Sequence, residues 1–178
     1  MLPVVVTPLS WAVREASFSC IKMLFDRGGS SQYGQLLHHA AERELPDRCD
    51  ILEYLLGKDC VPSINKIMYQ DILDDYLQNM YCGIGSPLHI AAGKDSLDLV
   101  HLLVDEGADP LIKDPSGQTP LDRARHGGYT EVVEFLRPLS ISSSIPRQDF
   151  VDGYGLHFKR MPMEDFLKVG DWKGVFHV

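Results

Sequence analysis

The apolar positions between Gly85 and Leu136 fall in short clusters that recur. Leu88, Ala91 and Ala92 share one face of a short helix, and Leu99, Val100, Leu102 and Leu103 mark a second helix from about Leu97 to Val104. The arrangement then returns 33 residues later. Ser86-Pro87-Leu88-His89 becomes Thr119-Pro120-Leu121-Asp122, Ala91 becomes Ala124, and Val100 and Leu103 become Val133 and Leu136. A period of this size predicts a solenoid, in which one unit cannot bury its own apolar face and stacked units can.

The polar positions punctuate each unit. Ser86 and Thr119 are suited to cap a helix, with Pro87 and Pro120 at the first helical position, where a missing N–H costs nothing. Gly107 predicts a left-handed stop to the second helix. Ala108-Asp109-Pro110 turns the chain outward, and Asp114 to Gly117 reads as a turn, so units are expected to be joined by an extended hairpin. Small residues on the first helix let neighbouring units approach closely.

These residues resemble the ankyrin repeat, whose pattern is Gly-x-Thr-Pro-Leu-His-x-Ala-Ala followed by Val-x-x-Leu-Leu-x-x-Gly-Ala-Asp. The third copy reads Gly85-Ser86-Pro87-Leu88-His89-Ile90-Ala91-Ala92, then Val100-His101-Leu102-Leu103-Val104-Asp105-Glu106-Gly107-Ala108-Asp109. The fourth reads Gly117-Gln118-Thr119-Pro120-Leu121-Asp122-Arg123-Ala124, then Val133-Glu134-Phe135-Leu136. The third departs from the pattern at Ile84, where Gly is usual. The fourth departs at Asp122 and Arg125, where His and Ala are usual. The expected fold is all-α with short hairpin loops, an ankyrin-repeat α-solenoid.

Two further copies precede these. Thr7-Pro8-Leu9-Ser10-Trp11-Ala12-Val13 opens the first, Ile21, Met23, Leu24 and Phe25 supply its second helix, and Gly28-Gly29 ends it. No hairpin or polar capping repeat precedes it. The reading therefore has Val4, Val5, Val6 and Trp11 packed locally, on a partner, or on further repeats of a longer array. The second copy runs from Tyr33 through His38 and Ala40-Ala41 to Ile51-Leu52-Glu53-Tyr54-Leu55-Leu56, with Gln35-Leu36 in place of Thr-Pro. The resemblance implies that His38 and His89 are structural histidines that bond near the cap and the next hairpin. About three extra residues lengthen the loop between its two helices, cheaply, because closure entropy depends weakly on length.

The spacing between the second and third copies is longer still. Ile64, Met68, Ile72, Tyr76 and Met80 recur at every fourth position after the start signal Pro62-Ser63, which predicts an amphipathic helix of about four turns over roughly residues 62–82. It would replace a hairpin tip and cover the flank of the second and third repeats, or offer Tyr76, Tyr81 or the Asp71-Asp74-Asp75 cluster to a partner. The repeats are thus placed at about 5–32, 33–61, 83–113 and 114–139, with an irregular extension over 140–178. Ser140 to Ser144 reads as a linker. Phe150, Phe158, Trp172, Val175 and Phe176 are more apolar than a simple solvated tail, and are expected to fold back over the last repeat; the alternatives are a partly disordered tail or a short docking segment for another chain.

Composition narrows the function. A formal net charge of -8 disfavours nucleic acid and anionic membrane as partners. No apolar run is long enough to cross a membrane, and Leu2 to Val6 lacks the basic segment of a secretory signal. Cys20, Cys49, Cys60 and Cys82 are widely spaced, with no C-x-x-C, and read as reduced thiols of an intracellular protein, cytoplasmic or nuclear. His-Glu-x-x-His and phosphate-cradling glycine motifs are absent. Cys82 and His89 suggest a thiol nucleophile only if a base lies in reach. No enzymatic activity, metal or cofactor is expected.

The resemblance implies a protein-binding module whose partner lies on the concave face of first helices and hairpin tips. The first-helix positions free to vary are Trp11, His39, Ile90 and Arg123, with Arg14 and Lys94 nearby. Tyr33, Lys113, Ser116 and Gln118 come from the hairpins. Trp11, Tyr33 and Arg123 are the expected anchors, since aromatic and Arg side chains dominate interface energetics. The chain is expected to be a protein-interaction scaffold and monomeric, with self-association left open; the alternative is an array belonging to a larger enzyme or adaptor.

Overall fold

The computed structural model describes residues 7–31, 34–57 and 64–141. Four pairs of helices follow one another: α1 (Pro8–Glu15) with α2 (Phe18–Asp26), α3 (Leu36–Glu42) with α4 (Arg48–Leu56), α6 (Pro87–Gly93) with α7 (Leu97–Asp105), and α8 (Pro120–Gly127) with α9 (Thr130–Ile141). A shorter helix, α5 (Leu73–Asn79), lies between the second and third pairs. No strand occurs among the described residues. The all-α solenoid is the observed fold.

The stack is built in two rows. First helices pack in order, α1 on α3, α3 on α6 and α6 on α8, while α4 packs on α7 and α7 on α9. Ala12, Ala40, Ala91, Ala92 and Ala124 are buried in the first row, so backbones approach closely there. The second row meets through larger side chains. Tyr54 of α4 takes Phe18 and Phe25 of α2 edge-on, with ring centroids 5.2 and 5.7 Å apart. Leu88, Leu99, Val100, Leu103, Leu121, Val132 and Leu136 form one continuous buried cluster with Leu9, Ile21, Leu37, Ile51, Leu52 and Leu55. Val133 packs against that cluster but is only partly buried, whereas Val100, its counterpart one repeat earlier, is fully buried.

Local chemistry sets the helix ends. The Thr7 and Thr119 hydroxyls accept from the backbone N–H of Ser10 (3.1 Å) and Asp122 (3.2 Å), each closing a reciprocal capping box. Gly107 ends α7 with φ +91°, a conformation that costs a residue with a Cβ. In the hairpin between the third and fourth repeats, Asp114 N–H donates to the Gln118 carbonyl at 2.8 Å across the tip Pro115-Ser116-Gly117. Helix α9 runs through Pro138 to Ile141, two residues past the expected end of the repeat. The Ser140 hydroxyl donates to the Leu136 carbonyl at 2.9 Å, giving the helix a bond beyond the proline.

The insertion differs from its expected form. In place of a four-turn helix over 62–82, residues 64–71 are turns and short extended segments, and only Leu73–Asn79 is helical. The reason lies in two tertiary bonds. Met68 N–H donates to the Gly85 carbonyl at 3.0 Å, the same bond that Asp114 makes with Gln118 in the next hairpin. Met68 is buried, so residues 64–68 are a hairpin limb, and residues 69–84 take the place of the three-residue tip. Tyr69 then turns with φ +64°, and its N–H donates to Oε1 of Gln35 at 3.0 Å. Gln35, which replaces the capping Thr of the second repeat, spends its side chain on the insertion and itself adopts φ +52°. A period of four in the apolar residues satisfied a hairpin limb and a short helix together. Pro62 and Ser63 lie outside the described residues, as do Val4 to Val6, Cys60 and the aromatic residues after 141 that were expected to fold back.

Candidate functional site

The expected surface residues gather around two carboxylates that sequence reasoning did not single out. The first is Glu42, at the end of α3. His39 Nδ1 lies 3.2 Å from its Oε2, Arg14 Nη1 of α1 lies 3.9 Å away, and Lys94 Nζ, beyond α6, donates to the Glu42 carbonyl at 2.9 Å and to Glu44 at 3.0 Å. Three consecutive repeats are therefore tied at the C-terminal ends of their first helices. Cations there also complement the helix dipole. The bond from His39 is the main cause that holds the Glu42 carboxyl below its ordinary pKa. His39, expected to be free to vary at the surface, is nearly buried in this cluster.

The same place in the second repeat shows how the device works. Arg43 aligns with Lys94, one residue past each first helix, and its side chain is fully buried. Its Nη1 and Nη2 donate to the carbonyls of Val13 (2.9 Å) and Ala16 (2.8 Å), satisfying the open end of α1. Its Nε and Nη2 clasp Asp47 at 2.8 and 2.9 Å. The lengthened loop of this repeat thus serves to bring Asp47 to Arg43.

The second carboxylate is Asp114. Ser116 Oγ donates to its Oδ1 at 2.6 Å, Gln118 N–H to Oδ1 at 2.9 Å, and Arg123 Nε and Nη2 to Oδ2 at 3.1 and 2.8 Å. Burial works against the charge of Asp114, but the bonds from Ser116, Arg123 and Gln118 outweigh it and keep its pKa below the ordinary value. Arg123 also reaches the Ile84 carbonyl at 2.8 Å, and its side chain is only 13% exposed. The signal was present in Asp114-Pro115-Ser116-Gly117, where an Asp opening a turn is placed to accept from the residues that follow.

The two histidines at equivalent repeat positions each bond a carbonyl of the hairpin that follows, on different limbs of it. His89 Nε2–H donates to the Gln118 carbonyl at 3.0 Å while its Nδ1 accepts from Ser86 N–H (3.2 Å) and Oγ (2.8 Å). His38 Nε2–H donates to the Lys66 carbonyl at 2.9 Å. Burial pushes both imidazoles down to a pKa of about 4. With both ring nitrogens engaged, His89 is no base for Cys82. A shallow groove of about 420 Å³ is lined by Gly83, Gly93, Gln118, Arg123, His126 and Gly127, and holds neither Cys82 nor His101. No group of His, Cys, Asp and Glu suited to a metal occurs among the described residues.

The remaining expected positions are distributed along the same rows. Trp11 is 60% exposed on α1, although Leu9, Ser10, Ala12 and Val13 around it are buried. Ile90 is half-buried on α6, and Lys113 and Ser116 are exposed at the hairpin. Tyr33 lies outside the described residues. No helix among the described residues is long and apolar enough to cross a membrane.

Comparison with known proteins agrees with this architecture. A family model described as ankyrin repeats (many copies) matches residues 75–124. The E3 ubiquitin-protein ligase XBAT33 of Arabidopsis thaliana is 32% identical over 66% of this chain and 22% of its own length. The probable E3 ubiquitin-protein ligase XBOS33 of Oryza sativa subsp. japonica is 43% identical over 43% of this chain and 14% of its own. The ARF GTPase-activating protein GIT2 of Mus musculus is 45% identical over 29% of this chain and 7% of its own. The chain spans less than a quarter of the length of these relatives. Capped first helices opening on Thr-Pro or Ser-Pro, histidines bonded to the next hairpin and a matching family model together make this chain an ankyrin-repeat protein.

Proposed function

We propose that the solenoid is a protein-interaction scaffold that binds its partner on the concave row of first helices and hairpin tips. Ankyrin repeats are protein-interaction modules, and the repeated core leaves the side chains between its apolar positions free for recognition. The observation that carries this reading is Trp11, a large ring that stays mostly in solvent on a helix whose neighbouring positions are buried. Lys113 and Ser116 supply polar contacts further along the row, with Ile90 as a second apolar position. On this reading the partner is a protein and no nucleic acid takes part, and the chain acts inside the cell without chemistry of its own.

The experiment is affinity capture with the chain, followed by titration of the identified partner against Trp11→Ala. The expected result is an affinity loss of about tenfold or more with an unchanged urea midpoint. An unchanged affinity overturns the surface assignment. Arg123→Ala is unsuited to this test, because it also uncovers the buried Asp114.

A second reading rests on the relatives, two of which are named ubiquitin ligases. In it, the array presents a bound partner to a catalytic part of a larger protein. A ubiquitin-transfer assay with this chain and the upstream enzymes is expected to yield no conjugate. Conjugation by these residues alone would refute the non-enzymatic reading.

A further inference from the structure

The aligned first-helix positions are not equally open along the concave row. Trp11 of the first repeat is 60% exposed, whereas His39 of the second is 8% exposed and Ile90 of the third is half-buried. In the fourth, Arg123 is held down against Asp114 and the Ile84 carbonyl. The row is covered from the second repeat onward, and the insertion lies over that part of it. Gly83, at the end of the insertion, lines the shallow groove together with Gly93 and Gly127, the last residues of α6 and α8, and with Gln118 and Arg123. At its start, Tyr69 N–H is bonded to Gln35 of the second repeat. Burial raises the pKa of the Tyr69 phenol, and the carboxylates of Glu42, beside His39, and of Asp75 on α5 add to it. Burial and Asp114 raise that of Tyr76 on α5. The insertion therefore spans from the end of α3 to the hairpin of the fourth repeat.

Its hold on the repeats is light. Ile72, Asp75, Tyr76, Asn79 and Met80 fall at i, i+3, i+4, i+7 and i+8, one helical face, and each is half-buried. No residue of α5 is fully buried, and a helix of seven residues is marginal by itself. Among the described residues, no ion pair or side-chain hydrogen bond joins α5 to a repeat; Asn79 bonds the Asp75 carbonyl within the helix, and Asp71 pairs with Lys66. Both ends of the insertion turn in the left-handed region, at φ +64° for Tyr69 and +74° for Gly83. A Cβ at Gly83 would meet open space, so the chain has room to pivot there.

We infer that residues 69–83 form a strap laid over the concave row of the second to fourth repeats, which opens about Tyr69 and Gly83 and so controls access to that row. Trp11 lies outside the strap and stays available for first contact. His39 and Ile90 become available only in the open form, and the apparent affinity of a partner that needs them scales with the open fraction. This consequence for binding rests on the concave reading proposed above; the covering and opening of the strap do not.

The test needs no partner. Hydroxyl-radical footprinting of the full chain, read by peptide mass spectrometry, compares the parent with Y76A/M80A, which strips the inner face of the strap, and with L73A/L77A/Y81A, which strips its outer face. Oxidation of His39 and Ile90 is expected to rise about threefold or more in Y76A/M80A, with Trp11 and the buried Leu88 unchanged. The outer-face variant is expected to match the parent at all four residues. None of the truncated side chains is fully buried, so both variants keep urea midpoints near that of the parent. Hydrogen exchange in the parent is expected to run at least about a hundredfold faster in α5 than in α6, with Met68 N–H protected like α6. Equal oxidation of His39 and Ile90 in the parent and Y76A/M80A overturns the strap, and so does a rise that Leu88 shares, which reports general unfolding. Exchange of α5 in step with α6 overturns its opening. Failure of the Trp11→Ala titration would remove the concave reading and leave these readouts unchanged.

Discussion

The guanidinium of Arg123 holds the buried carboxylate of Asp114 at 2.8 and 3.1 Å and the Ile84 carbonyl at 2.8 Å, so a side chain expected at the binding surface is the clasp between the third and fourth repeats. Removing one partner of such a pair leaves an uncompensated charge. Arg123→Ala is expected to destabilise the chain by roughly 3 kcal/mol or more, read as a lower urea midpoint. A midpoint within error of the parent would show that the pair is dispensable.

Arg43 makes the corresponding clasp between the first and second repeats, with its side chain wholly enclosed. Arg43→Ala orphans the Val13 and Ala16 carbonyls as well as Asp47. The expected loss is on the order of 3 kcal/mol. Arg43→Lys should recover little of it, because an ammonium lacks the planar fork that reaches three acceptors at once. Full recovery by lysine would mean that charge alone, and not geometry, is required.

Stability should depend on pH through His38 and His89. Burial lowers both folded pKa values to about 4, from an ordinary 6.5. Between those values the unfolded chain binds more protons than the folded one, so stability rises with pH. The contribution is complete above about 6.5 and is lost as pH falls toward 4, on the order of 3 kcal/mol for each histidine. His39 and Glu42 face the first site, and Arg123 and Asp114 the second. The depressed carboxylates of Asp114 and Asp122 release their share lower still, as pH falls below the ordinary Asp value. Urea midpoints measured from pH 7.5 to 4 give the slope, and a flat profile between 6.5 and 4 would contradict the assignment.

The thiols should differ in reactivity. Burial, with a bond to the Asp98 carboxylate, pushes the Cys49 thiol up to about 11. Its Sγ lies 3.2 Å from Asp98 Oδ2, which is also clasped by Arg48 at 3.0 Å. Since the thiolate is the reactive form, Cys49 should alkylate far more slowly than the exposed Cys20 and Cys82 at pH 8. Peptide mass spectrometry after timed iodoacetamide labelling measures this. Equal rates at Cys49 and Cys20 would show that the Asp98 contact is not maintained in solution.

Gly85 is a constraint the repeat pattern does not announce. A Cβ added there would meet the His89 Cβ at 2.6 Å and an Arg123 nitrogen at 3.1 Å. Gly85→Ala is expected to lower the urea midpoint, by roughly 1–3 kcal/mol of strain in a packed site. A neutral effect would mean that the hairpin relaxes away from α6 at little cost.

The helices of the four repeats, their caps and the residues that face the core were legible in the chain, because each depends on neighbours within one or two turns. Thr119 caps α8 through Asp122, three residues on, and Leu88 and Ala91 share a face by helical period alone. The insertion was misread for the same reason. Ile64, Met68, Ile72 and Tyr76 keep a helical period, yet Met68 is fixed by a bond to Gly85, far along the chain. The repeat pattern also placed Arg14, His39 and Lys94 on or beside the first helices of three successive repeats, but not around one glutamate.

By itself the sequence determined the unit: where each helix begins, which face is apolar, and that such units must stack to be stable. Only the tertiary structure decided which charged side chains remain at the surface. Arg43 and Arg123 are drawn inward because the stack creates buried carbonyls and carboxylates that need a donor, and those acceptors lie 27 to 39 residues away for the carbonyls of Ala16 and Ile84. Trp11, without such a partner in the described core, stays in solvent.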